Sequence, residues 1–247
     1  MRKTRIYLVC FLVLCLIEIA LTQVRELDYS ASSRPVIKNF EKQAPKIGAK
    51  LPELKLFDEN GITFDTNSLK GNYTVLVFGC LTSPSFLRNV PSLETVRNDF
   101  APMGVKFYYI YKSLAHPGLR GYVPPLTLQE RLMHVYEAKR LFGSKIPWLC
   151  DTMDNDLNHA LGNAQNSEFL IDPEGKVIER QPWSHPENLR TILDKTIGPV
   201  DQPTTLTDLG KEFSVKWPSS KIPSGLLPKL QLPSRMVPLT ILPLKQK

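Results

Sequence analysis

The strongest constraint on this chain's fold is an apolar run without polar alternation. Thr74-Val-Leu-Val-Phe78 is rich in β-branched residues and has no polar residue at alternate positions. That is the pattern of a strand buried on both faces of a sheet. Val105-Lys-Phe-Tyr-Tyr-Ile-Tyr111 reads as a second such strand. Between them Phe86, Val90, Leu93, Val96 and Phe100 recur at spacings of three and four, which predicts a helix. Pro91 should kink it, and Gly104 lies beyond its end. Two buried strands joined by a helix imply parallel pairing through a right-handed crossover.

The neighbouring segments extend this unit. Alternation in Leu51-Pro-Glu-Leu-Lys-Leu-Phe57, a turn at Asp58-Glu-Asn-Gly61 and the return Ile62-Thr-Phe64 predict an N-terminal hairpin. Thr127-Leu-Gln-Glu130 is a capping-box signature opening a helix through Phe142, closed by Gly143. Pro147-Trp-Leu-Cys150 reads as a short strand. Glu168–Asp172 and Lys176–Glu179 flank the turn Pro173-Glu-Gly175, and a last helix runs from about Glu187 to Ile197. The expected architecture is α/β: a mixed sheet with helices on both faces and an N-terminal hairpin extension, spanning residues 48–198.

Outside this domain the chain changes character. Residues 1–22 place Arg2, Lys3 and Arg5 before an apolar run from Ile6 to Leu21, interrupted only by Glu18. The run is short of the ~20 apolar residues of a spanning helix. Its layout is that of a secretory signal peptide or an uncleaved N-terminal anchor, so export is expected, to the periplasm, the extracellular space or an outward-facing membrane surface. Residues 23–47 are polar and poor in apolar periodicity and read as a linker. From residue 199 to 247 prolines 218, 223, 228, 233, 238 and 243 recur every five residues among leucines and basic residues. Such a tail is extended or disordered, either solvated or docked on a partner the sequence does not name. The net charge of +7 is concentrated at the two ends, so it does not argue for nucleic-acid binding.

Ligand chemistry in open α/β sheets gathers at the carboxyl ends of the strands. The reading above puts three loops there: Cys80 to Ser83, the loop holding His116, and Cys150 to Asp154. Removal of the N-terminal segment would leave Cys80 and Cys150, which could form a bridge or act as redox thiols. Cys80 lies close to a helix N-terminus, whose partial positive charge favours a thiolate; it could equally be a small buried strand residue. Ser83 could cap the helix that follows it, or act as a catalytic nucleophile if a histidine base and an orienting acid lie within reach. No histidine–cysteine spacing suggests a metal and no glycine-rich loop suggests a nucleotide, so no cofactor is expected.

The segment Phe78-Gly-Cys-Leu-Thr-Ser-Pro-Ser-Phe86 resembles the active-site stretch of the iodothyronine deiodinases, thioredoxin-fold selenoenzymes with Phe-Gly-Ser-Cys-Thr-selenocysteine-Pro-Pro-Phe at this point. Phe78, Gly79, Thr82, Pro84 and Phe86 match. Ala115-His116 resembles the family's Glu-Glu-Ala-His segment. Asp151-Thr-Met-Asp-Asn155, with Asn158, Ala160 and Gly162, resembles its Asp-Arg-Met-Asp-Asn-x-x-Asn-x-Ala-Tyr-Gly stretch. The resemblance implies a thioredoxin-like fold and thiol-based reductive chemistry, either reductive dehalogenation or thiol–disulfide exchange, with an external thiol reductant. It also implies His116 as an acid or binding group and Thr82, Asp154 and Asn155 near the substrate; Cys150, ending a strand of the same sheet, could serve as a resolving thiol for Cys80.

The departures fall on the reacting groups. Ser83 stands at the selenocysteine position, Ser113 and Leu114 replace two acids, and Asn166-Ser167 replaces a Glu-Arg pair. A hydroxyl has no thiol-exchange cycle. Two readings therefore stand: an oxidoreductase working through Cys80, or a non-catalytic binding domain with the Pro-rich tail as an interaction arm.

Overall fold

The computed structural model describes residues 34–210. Its sheet is built from β1 (Lys55–Asp58), β2 (Thr63–Asp65), β3 (Thr74–Phe78), β4 (Lys106–Tyr111), β5 (Trp148–Cys150), β6 (Glu168–Ile171) and β7 (Val177–Gln181). They lie in the order β2-β1-β5-β4-β3-β6-β7. The pairs β3·β4 and β4·β5 are parallel, and every other pair is antiparallel. The helices are α1 (residues 34–43), α2 (Pro84–Phe100), α3 (Leu128–Phe142), α4 (Asp156–Ala160) and α5 (Pro186–Thr196).

The period-two alternation of strands divides the core into two layers. Val75 and Val77 of β3, with Tyr109, Tyr111 and Trp148, face α2, α3 and α5. Leu76 and Phe78, with Ile110 and Leu149, face Phe40 of α1 and Leu157 of α4. Helices thus cover both faces, as the unbroken apolar run of β3 requires. The N-terminal hairpin pairs antiparallel with β5 through Phe57 and Cys150, which closes that side of the parallel core.

Helix α2 runs unbroken through Pro91. Its five expected apolar residues are all buried. Phe86 anchors it, meeting Tyr109, Phe142 and Trp148 edge-on with ring centroids 5.1–6.0 Å apart. Helix α3 is capped as its sequence announces: Thr127 Oγ1 accepts the Glu130 N–H (3.2 Å), and Gly143 ends the helix in the left-handed conformation.

Two boundaries differ from the sequence reading. Residues 34–43, read as part of a linker spanning 23–47, form a helix. Val36, Phe40 and Ala44 recur at intervals of four and pack on the sheet, Phe40 against Phe169 at 5.7 Å between ring centroids. The polar residues between them face solvent, which hid the stripe. Residues 48–51 then run beside the β6–β7 turn, with the Gly48 N–H donating to Val177 O (2.7 Å) and Leu51 N–H to Gly175 O (2.8 Å). At the other end, the first residues of the expected tail are tied down. Val200 packs on the core, and Asp99 accepts from the Thr204 N–H at 3.0 Å while pairing with Arg190. Residues 1–33 and the periodic prolines from 218 onward lie outside the described residues.

The turn out of β3 depends on a close approach. A Cβ added at Gly79 would sit 2.3 Å from the Phe86 ring. Gly79→Ala should therefore destabilise the fold by roughly 1–3 kcal/mol, as overpacking does. Pairing it with Phe86→Leu should cost less than the two single changes summed, because the second change removes the clash. Denaturant unfolding of the four proteins measures this coupling, and strict additivity would contradict it.

Candidate functional site

The carboxyl ends of β3 and β4 bring two of the three expected loops together through backbone-to-side-chain bonds. The Ala115 N–H donates to Cys80 Sγ (3.2 Å) and the His116 N–H to Thr82 Oγ1 (3.1 Å). Cys80 Sγ also lies 3.6 Å from Thr82 Oγ1. Cys80, Thr82 and Ser83 are all buried, whereas His116 is exposed.

Ser83 is the N-cap of α2. Its Oγ accepts the Phe86 N–H at 3.4 Å and donates to Asn166 Oδ1 at 2.7 Å. Asn166 Nδ2 donates in turn to Ser85 Oγ (2.7 Å). A histidine base and an orienting acid, which would activate a serine nucleophile, are absent from these contacts. Ser83 is committed to a structural hydrogen-bond chain.

A cavity of about 380 Å³ opens beside this chain, within the size range of small-molecule sites. Ser83, Ser85, Arg88, His116, Asn166 and Trp183 are among its lining residues. Asn166 was noted in the sequence only as a departure. Arg88 and Trp183 went unnoticed, because only the pairing of Asn166 with Trp183 brings the segment after β7 to the start of α2.

The third loop follows a different logic. Asp151 is buried, and its carboxylate accepts the N–H groups of Thr152, Leu157 and Asn158 at 2.9–3.1 Å. Burial raises its pKa above the usual carboxylate range, while these donors and Arg131 pull it down. Arg131 of α3 donates to the carbonyls of Asp151 (3.3 Å), Thr152 and Met153 (3.2 Å). The loop is thereby fixed as a helix cap. Asp154 is exposed, Asn155 adopts a left-handed backbone, and neither lines the cavity.

Beneath the loops lies a cation that the sequence reading missed. Lys112 is buried, with Nζ donating to Asn158 Oδ1 (2.7 Å) and Ala164 O (3.3 Å). Burial lowers its pKa to about 8, against the attraction of Cys80 and Asp151. Nothing in an isolated lysine after a strand marks it as interior.

The two thiols do not form a pair. Both are free and buried, and β4 lies between their strands. Cys150 ends β5, whereas Cys80 lies in the loop beyond the end of β3. Burial pushes the Cys150 thiol up to about 12. Among the described residues no cluster of three or more histidine, cysteine or acidic side chains could hold a metal.

With this geometry established, the chain is defined by fold as a thioredoxin-like α/β protein. A solved thiol:disulfide interchange protein from Bacteroides sp. matches with a TM-score of 0.50 at 17% identity, covering 64% of this chain and 93% of that one. The thioredoxin domain of a thiol-disulfide oxidoreductase from Bacteroides vulgatus matches at 0.48 and 18% identity, covering 62% and 99%. A hypothetical protein from Sinorhizobium meliloti matches at 0.49 and 18%, covering 66% and 90%. No family model matches the sequence, and no curated protein does. At these identities the likeness is one of fold.

One buried acid holds a cavity wall in place. Glu168 accepts from Ser184 Oγ (2.7 Å), while the Ser184 N–H donates to Asn166 O (2.7 Å) and its carbonyl accepts from Asn89 (2.8 Å). Burial pushes the Glu168 carboxyl up to about 7, against the hydrogen bonds from Ser184 and His185. An unfolded glutamate titrates near about 4.3. Between these values the folded chain holds more protons than the unfolded one, so this contribution to stability falls as pH rises. The cost of ionisation is complete above about 7. Glu168→Gln removes it and should gain stability over wild type progressively from pH 5 to pH 8, by on the order of 3 kcal/mol at the upper end. Parallel stability–pH profiles for the two proteins would contradict the assignment.

Proposed function

We propose that this protein is a thioredoxin-fold binding domain, exported by its N-terminal segment, that holds a small molecule in the cavity between Ser85, Arg88, His116, Asn166 and Trp183. The observation that carries this reading is the state of position 83. The residue beside the cavity is a buried, doubly hydrogen-bonded serine, while both thiols are buried and separated by a strand. Disulfide exchange needs an accessible thiolate and a route to regenerate it, and this site offers neither. The deiodinase resemblance of Phe78–Phe86 supports a ligand of the small aromatic kind at this edge.

A second reading rests on one observation: Cys80 Sγ accepts the N–H of Ala115, a residue that itself lines the cavity. A single thiol directly beneath the floor would become reactive if the loop opened, with an external thiol as reductant.

Two measurements separate the readings. Site-resolved thiol labelling of the native chain should modify Cys80 and Cys150 at least about 100-fold more slowly than in denaturant, as expected where exchange requires opening. Fragment binding followed by NMR should shift the Trp183 indole and the Ser85 and Asn166 signals, and Cys80→Ala should leave those shifts in place. Dithiothreitol-dependent turnover of a disulfide or haloaromatic compound that disappears in Cys80→Ala would replace the binding reading with the redox one.

A further inference from the structure

The chemistry lining the cavity is unbalanced in a way that names the ligand it suits. Arg88 lies in the first turns of α2, is exposed, and has no hydrogen bond or ion pair among the described residues. Among the described residues the other titratable group lining the cavity is His116, and no carboxylate lines it. A cavity with a free guanidinium and no acid favours an anion over a cation or a neutral molecule of the same shape.

The hydrogen-bond chain beside it has a direction. Ser83 gives its proton to Asn166 Oδ1 at 2.7 Å, and Asn166 Nδ2 gives one of its two protons to Ser85 Oγ at 2.7 Å. Ser85 therefore receives a hydrogen bond and keeps its own proton to give. Among the described residues its acceptor is Ser83 Oγ at 3.3 Å, a long contact to an oxygen that also takes the Phe86 N–H. An acceptor in the cavity would be the better partner. Asn166 Nδ2 carries a second proton, with no other acceptor among the described residues. The chain thus presents donors to the cavity at Ser85 and Asn166, and Arg88 adds a charged fork suited to two oxygens. Trp183 and Pro84 supply apolar walls, and an indole face suits a ring.

We infer that the cavity is selective for a small aromatic oxyanion, an aryl carboxylate in the first instance, with its ring against Trp183 and its oxygens shared by Arg88, Ser85 and Asn166. This rests on the binding reading above and names its ligand class. No covalent step is involved.

The test uses pairs of probes that share a ring and differ in charge: benzoate with benzamide, and 1-naphthoate with 1-naphthamide. Titrations of the full chain are followed by NMR at Trp183, Ser85 and Asn166, at low and at high salt. Both acids should bind at least about tenfold more tightly than their amides. Arg88→Gln should remove most of that preference, weakening the acids far more than the amides, and salt should weaken only the acids. Arg88 is exposed and without partners among the described residues, so this variant should fold like wild type, and its unfolding midpoint checks that. If the amides bind as tightly as the acids at these residues, the anion inference is overturned and the binding reading stands. If acid binding is indifferent to Arg88→Gln, the assignment of the charge to that residue is overturned. If neither series perturbs these residues, the ligand class is overturned, and a further screen of unrelated fragments that also fails would remove the binding reading itself.

Discussion

Burial of β3 on both faces decides where everything else in this protein goes. All five of its residues are buried. It is hydrogen-bonded on one side to parallel β4 and on the other to antiparallel β6. A strand so enclosed has no freedom to slip, because a one-residue shift would exchange its two apolar sets between the layers. The chain must therefore leave β3 at one point and turn at once, within reach of the end of β4. Gly79 permits that turn under the Phe86 ring, and the ring locks α2 against Tyr109 and Trp148. The positions of Cys80, Thr82 and Ser83 follow from this packing.

The polar groups then fasten the loops to one another. Thr82 and Cys80 accept amide protons from the loop after β4. Ser83 reaches Asn166 before β6, and Glu168 and Asn89 hold the segment carrying Trp183. Lys112 ties the loop after β4 to Asn158 and Ala164. Each buried polar group is expensive to leave unpaired, so these contacts specify one arrangement of the strand ends. The cavity is what remains between them.

The elements legible in the sequence were those with a local signature. The runs of β3 and β4 showed their burial, the stripe of α2 showed its face, and Thr127, Glu130 and Gly143 marked both ends of α3. Helix α1 escaped because only Val36 and Phe40 within it face the sheet and its polar side is indistinguishable from a linker. The candidate site was legible by halves. The convergence of the Cys80–Ser83 and His116 loops follows from parallel pairing, which a helix between strands implies. The partners from residues 164–166 and 183–184 depend on how β6 and β7 attach to the far side of β3. That attachment is a tertiary fact, and no short spacing encodes it. Asp154 and Asn155 were expected near a substrate because of a motif, yet the physical centre of that motif is Asp151, which caps its own loop.

Position 83 shows how the same place in this fold can suit different chemical groups. The start of a helix after a buried strand is well suited to a thiolate, because free backbone N–H groups and the helix dipole stabilise negative charge there. A serine in the same position meets the same donors as a neutral acceptor and satisfies them as a cap. Its proton then has to go somewhere, and in this protein it goes to Asn166, in one of the positions where the resemblance had led one to expect a charged pair. The two departures are thus coupled: a neutral, donating Ser83 calls for a neutral acceptor, which the side-chain amide of Asn166 provides. Because that amide accepts at one end and donates at the other, the exchange relays a hydrogen-bond donor outward to Ser85 at the cavity. A serine at position 83 thereby sets the hydrogen-bond polarity at the cavity.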